Sequence, residues 1–187
     1  SVVCSLLNYI SLFSVTFLLP FYLIQGRMLN TGLVGLLLTA QPIMMAIIAP
    51  ISGALSDRYG ARIPGIMGML GLAIGLFMLS RIGADTKYLY IVLALAVTGI
   101  GTGTFISPNT SALMGSAPKS HQGIASGIQA ASRNVGMVLG IGLAGAILTS
   151  YFTQNSPSAL FKGINMGFFV STCLAIIGVF VSAAKEK

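Results

Sequence analysis

A carboxylate held at membrane depth can trade a proton for a substrate, and the apolar stretches of this sequence contain none. Asp57 and Asp85 fall in predicted turns and Glu186 in the tail. His121 also falls in a turn, as a solvated interfacial imidazole. Arg133 is different. About 18 residues separate it from Tyr151, close to one bilayer crossing at ~1.5 Å per residue, so it is expected near the inner boundary. It reads either as a charge at a helix seam that moves with a conformational cycle, or as a side chain snorkelling to the interface.

Uncharged polar groups are more numerous within the apolar stretches: Asn8, Gln41, Thr98, Thr102, Asn109, Gln129 and Asn134. Each can bond a neighbouring helix, worth about 0.6 kcal/mol on average in lipid. Tyr9, Phe13 and Phe17 recur every four residues and so share a helical face, while Met44 and Met45 stand mid-depth on the next apolar stretch. Aromatic faces and adaptable thioethers suit a cavity for apolar cations. The same stripe also suits ordinary helix packing, and both readings stand.

Catalytic constellations are missing. Ile124-Ala125-Ser126-Gly127 lacks the Gly two places before the Ser that a serine nucleophile elbow needs. There is no pair of intramembrane Asp residues and no His/Glu metal set, so neither an enzyme nor a metal site is expected. Gly99-Ile100-Gly101-Thr102-Gly103 resembles a nucleotide loop only superficially, because it lies mid-span with no strand before it.

The elements that must position these groups are long and apolar. Hydrophobic residues make up 55% of the 187, charged residues 7%, and mean hydropathy is +0.92. A soluble domain needs about a quarter of its residues charged, so a water-soluble globule and a disordered chain are both excluded. Spanning the bilayer takes roughly 20 apolar residues. Six stretches qualify, at about 2–24, 32–55, 63–80, 88–107, 124–150 and 164–183, with the fourth continuing past Pro108. The first is too long for a signal-peptide core and is expected to be a span. Pro20, Pro42, Pro50 and Pro108 lie within or at the ends of spans and predict bends. Cys4 and Cys173 lie inside apolar runs, as packing residues rather than a disulfide.

Formal charge is +7, yet the basic residues form no run or stripe, so headgroup anchoring is expected and nucleic acid is not. An even number of spans puts both termini on one side. Arg58, Arg62, Lys119, Lys185 and Lys187, with Arg133 near the boundary, share that side; Arg27, Arg81, Lys87 and Lys162 share the other. The excess predicts cytoplasmic termini. Tyr22, Tyr88, Tyr90 and Tyr151 cluster at the outer interface and Tyr59 at the inner one, an aromatic belt. Glycines spaced by four predict close helix contacts: Gly71 and Gly75, Gly99 and Gly103, Gly123 and Gly127, and Gly136 and Gly140 followed by Ala144.

The turn after the second span reads Gly53-Ala-Leu55-Ser-Asp57-Arg58-Tyr-Gly60-Ala-Arg62. It resembles the Gly-x-Leu-x-Asp-Arg-x-Gly-Arg-Arg loop of the major facilitator superfamily, found between the second and third helices of a six-helix half. Ala61 departs from the first basic residue of the final pair. The stretches Gly99–Gly115, Gly123–Gly127, Arg133–Gly136 and Gly140–Leu148 look like the fourth and fifth helices of the C-terminal half in the fourteen-span drug:proton antiporter family (EmrB/QacA type).

That resemblance implies an all-α integral membrane protein: a single six-helix domain over residues 1–187, built as two three-helix inverted repeats of about 1–84 and 85–187. It would be the C-terminal half of a longer transporter in the cell membrane. The first and fourth spans would line a central cavity, the second and fifth would face the other half, and the third and sixth would face lipid. Tyr9, Phe13, Phe17, Thr98, Thr102 and Phe105 become substrate-cavity candidates, with Gln41, Met44 and Met45 adjacent. Gly53, Asp57, Arg58, Gly60 and Arg62 would form a conformational gate that latches the cytoplasmic side. A proton gradient would supply energy, no cofactor is implied, and the coupling carboxylates would lie in the other half. The partners implied are the bilayer, a small-molecule substrate, and the missing N-terminal half or another copy. The alternative is a self-standing half-size protein that dimerises, as a transporter or a non-transporting scaffold.

Overall fold

The computed structural model describes residues 2–152 and 157–184, so Lys185, Glu186, Lys187 and the Asn155-Ser156 part of the fifth turn lie outside the described residues. All regular structure among the described residues is helical. Six helices are long and apolar enough to cross a membrane: α1 (Val2–Gly26), α2 (Thr31–Tyr59), α3 (Arg62–Leu79), α4 (Tyr88–Gly115), α5 (Gln122–Tyr151) and α6 (Ala159–Ala183).

The departures from regular helix have local causes. Pro20 has no N–H, and the turn that follows widens into a π-helical one over Tyr22–Gly26, with the Arg27 N–H donating to the Tyr22 carbonyl at 3.0 Å. Met28 closes the end in the left-handed region, at φ 52°. Asn30 then starts α2. Its backbone is extended and its Oδ1 accepts from the N–H groups of Gly32 (2.7 Å) and Leu33 (3.3 Å). Asn30→Ala is expected to destabilise the folded protein by about 1 kcal/mol, read as a lowered thermal midpoint in detergent. Asn30→Ser should restore most of it, and an unmoved midpoint for Asn30→Ala would remove the cap from the account.

Within α2 the helix is interrupted at Thr39, whose Oγ1 donates to the Leu36 carbonyl at 2.6 Å. Pro42, three residues on, has no N–H for the Leu38 carbonyl, so the interruption falls beside a missing backbone bond, whereas Pro50 and Pro108 lie within unbroken helix. Gly60 ends α2 at φ 81°, ψ 160°, a conformation open essentially to glycine alone. Two boundaries differ from the sequence expectation. Helix α2 runs through Tyr59, so Asp57 and Arg58 occupy its last turn rather than a loop. Helix α6 begins before 164, because Ala159 packs into the interior and carries the helix through Lys162 and Gly163, which read as turn residues.

Pairing follows a simple rule. Helix α1 packs on α5 and α6, α4 packs on α2 and α3, and α3 meets α6 to join the two trios. Exchanging α1 with α4, α2 with α5 and α3 with α6 reproduces these contacts. The interior is built from Leu18, Leu19 and Leu23 of α1, Met69, Leu72 and Leu76 of α3, Ile91 and Leu95 of α4, and Ile164 and Phe168 of α6. Helices α2 and α5 are left largely uncovered, with 17% and 22% of their most apolar stretch buried against 56% for α1.

Glycines set the close approaches. A Cβ on Gly68 would stand 2.6 Å from the Phe105 nitrogen, and one on Gly75 would stand 2.7 Å from that of Thr98, so α3 and α4 touch backbone to backbone. Gly136 and Gly140 do the same for α5 against Tyr9 and Ile10 of α1. Gly99 and Gly103 admit Gln41 and Met45 of α2. Gly123 and Gly127 meet nothing within 4 Å, so that fourth pair makes no contact within this bundle.

Candidate functional site

Closing α2 onto α4 brings one face of α2 opposite α1 and leaves a cavity of about 270 Å³ between them. Leu12, Phe13, Val15 and Thr16 line it from α1, and Leu38, Gln41, Pro42 and Met45 from α2. The wall is mostly apolar. Thr16 turns its hydroxyl to the Leu12 carbonyl at 3.1 Å, which removes it as a donor. Gln41 does not. It is 8% exposed, and its Nε2 has no acceptor among the described residues. A buried amide N–H without a partner costs about 1–3 kcal/mol, so the groove holds one donor ready for an acceptor on a guest.

The structure separates the residues that sequence spacing put on one face. Phe13 and Met45, with Gln41, line the groove, while Met44 is half-buried outside its lining. Phe17 stacks on Phe21 with ring centroids 4.9 Å apart and lies beside Gly145 of α5. Tyr9 borders a smaller cavity of about 200 Å³ with Ser126, Gln129, Ala130 and Arg133. Its hydroxyl accepts from Gln129 Nε2 at 3.5 Å, and the same nitrogen donates to Thr110 Oγ1 at 3.2 Å. Arg133 is exposed on α5 at the rim of that cavity.

Thr98, Thr102 and Phe105 are sealed within the bundle, at 0%, 0% and 2% exposure. Thr98 sets its methyl against Gly75 and donates its hydroxyl to the Leu95 carbonyl at 2.8 Å, and Phe105 lies on Gly68. Thr98 and Phe105 thus serve the α3–α4 seam, Thr102 buries an Oγ1 with no partner among the described residues, and none of the three lines the α1–α2 groove. Sequence reasoning missed Leu12, Val15, Thr16, Leu38 and Pro42 as lining residues; the available signal was their position within a helical turn of Phe13 and Gln41.

At the α2–α3 end, Ser52 Oγ donates to the Thr104 carbonyl at 2.7 Å, and Gly53 leaves room for Ser107 of α4. Asp57 and Arg58 are exposed, and neither makes an ion pair among the described residues. Arg62 has a partner: its Nη2 donates to the Ala183 carbonyl at 2.6 Å and caps the C-terminus of α6, where a cation opposes the helix dipole favourably. At the opposite end Arg27 donates to the Thr86 carbonyl at 2.6 Å and to the Tyr22 hydroxyl at 3.4 Å, and lies 5.2 Å from the Tyr88 ring. Tyr22 in turn donates to the Gly83 carbonyl at 2.7 Å, so α1 grips the α3–α4 turn. Burial works against the Arg27 charge, but its contacts with the Tyr22 and Tyr88 hydroxyls outweigh that and raise its pKa.

Comparison with known proteins agrees with this architecture. The Major Facilitator Superfamily profile matches residues 2–186. The riboflavin transporter RibZ of Clostridioides difficile is 30% identical over 179 residues, covering 93% of this chain and 39% of RibZ. The multidrug resistance protein Stp of Mycobacterium tuberculosis is 27% identical, covering 83% of this chain and 29% of its own length. The lincomycin resistance protein LmrB of Listeria monocytogenes is 27% identical, covering 97% and 41%. The chain thus spans about two fifths or less of the length of these relatives.

Proposed function

The chain belongs to the major facilitator superfamily, and from that premise we propose that it is one lobe of a secondary transporter that exports apolar or cationic small molecules against proton entry. The lobe consists of two inverted three-helix repeats, residues 1–84 and 85–187, and rocks against a second lobe in the cell membrane. The observation that carries this reading is the α1–α2 groove, an apolar pocket with the Phe13 ring and one unpartnered Gln41 donor. Such a wall accepts varied apolar bodies through dispersion and ring-face attraction, with one hydrogen bond to orient them.

Other features support the same reading. The uncovered faces of α2 and α5 fit a helical partner, and the greater length of the relatives favours a second half of the same protein over a second copy. Among the described residues, the membrane-length helices hold a single carboxylate, Asp57, which sits at a helix end. Proton-coupling groups accordingly belong to the other lobe.

The test is uptake of a fluorescent lipophilic cation into inverted vesicles carrying the full-length protein. Uptake should require a pH gradient, and Gln41→Leu and Phe13→Ala should each lower it roughly tenfold, the effect of about 1.4 kcal/mol of ligand interaction, at unchanged protein level. Uptake that survives collapse of the gradient would reject proton coupling. Transport of riboflavin with no cation uptake would reject the drug-export reading, and crosslinking of two 187-residue chains as the active unit would replace the second lobe by another copy.

A further inference from the structure

Two exposed stripes descend the outside of the bundle, and each is headed by a cation. On α3, Leu70, Ile74 and Phe77 lead up to Arg81 just beyond the helix end, at intervals of three and four. On α6, Lys162 heads Met166, Phe169, Ile176 and Phe180 at helical spacing. Between the two cations lies an open cavity of about 390 Å³, lined also by Tyr151, Asn165, Met166 and Phe169. Neither Arg81 nor Lys162 has a carboxylate partner among the described residues. Arg81 lies with its guanidinium carbon 4.9 Å from the Phe77 ring, which holds it over the apolar stripe. Lys162 stands one turn into the helix, which begins at Pro157, and is exposed beside the cavity as a second cation. Asn165 adds a buried Oδ1 with no donor among the described residues.

The geometry points to a binding site for one anionic phospholipid, seated with its phosphate between Arg81 and Lys162 and its acyl chains along the two stripes. Basic pockets between membrane helices hold anionic headgroups for the same reasons. The Asn165 oxygen calls for a hydroxyl or ammonium donor beside the phosphate, which a glycerol headgroup supplies. The apolar stripes below the cations argue for a lipid rather than a free phosphate, since an inorganic ion would leave them unused.

The test needs no transport activity. Full-length protein in detergent is titrated with phosphatidylglycerol, phosphatidylcholine or inorganic phosphate, and the thermal midpoint is followed. Phosphatidylglycerol should raise it by several degrees, and the Arg81→Gln/Lys162→Gln double variant should need at least tenfold more lipid for half the effect. Phosphatidylcholine and inorganic phosphate should do little. An equal response to phosphatidylcholine, an unchanged response in the double variant, or the same shift from inorganic phosphate would each overturn the assignment. Should the double variant not fold, Lys162→Gln alone carries the test, with Lys162→Arg expected to keep the response.

Discussion

Gly101→Val is expected to leave almost no folded protein in the membrane. Gly101 lies midway along α4, and a Cβ there would land on the Leu72 nitrogen and on the backbone of Gly71 and Gly68. These are main-chain atoms, so no rotamer change relieves the collision, and the two helices would have to separate. Separation forfeits the whole Gly68–Gly75 seam, where Thr98 and Phe105 also lie against glycine. In lipid the separated helices meet acyl chains as apolar as themselves, so lost close contact is not replaced by a hydrophobic gain. Overpacking a core typically costs about 1–3 kcal/mol, and a collision of backbone with backbone belongs at or above the top of that range. The measurement is the amount and thermal midpoint of detergent-solubilised protein. Gly115→Val, on the same helix with open space around the added atoms, is the matched control and should accumulate as the unaltered protein does. Equal yield and equal midpoint for Gly101→Val would show that α3 and α4 do not cross at this glycine.

Asp57→Asn is expected to do the opposite: keep the fold and cost about ten- to a hundredfold in transport. The carboxylate lies in the last turn of α2, where the helix dipole is already negative, an arrangement that is unfavourable by about 0.3–1 kcal/mol. It makes no compensating ion pair among the described residues, so this lobe gains nothing from the charge. A residue that its own helix disfavours, placed on an exposed face, fits a partner outside the bundle. The gate role implied for the Gly53–Arg62 turn needs such a partner in one state of the cycle. Losing a charged hydrogen bond of about 1.5–3 kcal/mol in that state gives the stated range of effect. Vesicle uptake and thermal midpoint should therefore part company: uptake falls while the midpoint holds or rises slightly. A drop in both would make Asp57 a folding residue, and unchanged uptake would remove it from the gate. Arg62 provides the contrast within the same turn, since its bond to the Ala183 carbonyl makes Arg62→Gln a loss to the fold itself.

The six spans were legible in the sequence because hydrocarbon tolerates only long, internally bonded apolar helices, and that constraint acts on each segment alone. The breaks in regular helix after Pro20 and beside Pro42 were legible because a missing N–H acts locally, yet the same loss at Pro50 and Pro108 leaves the helix unbroken. The likeness of the Gly53–Arg62 turn to the superfamily loop could be read from residue types at fixed spacing, and Gly60 there takes a backbone conformation that other residues avoid. Membership of the superfamily was likewise visible in Gly53–Arg62 and in the glycine patterns of α4 and α5.

Which faces those helices present was decided by tertiary structure. Tyr9, Phe13 and Phe17 share spacing but not surroundings, because α1 is packed by α5 on one side and borders α2 across a cavity on the other. Thr98 and Phe105 meet α3 rather than an opening, since glycines on α3 draw it in against them. Apolar sequence is equally content against lipid, a neighbouring helix or a guest molecule, so one-dimensional pattern gives no preference among the three. Depth in the bilayer is a property of each helix by itself; rotation about its axis is a property of its neighbours.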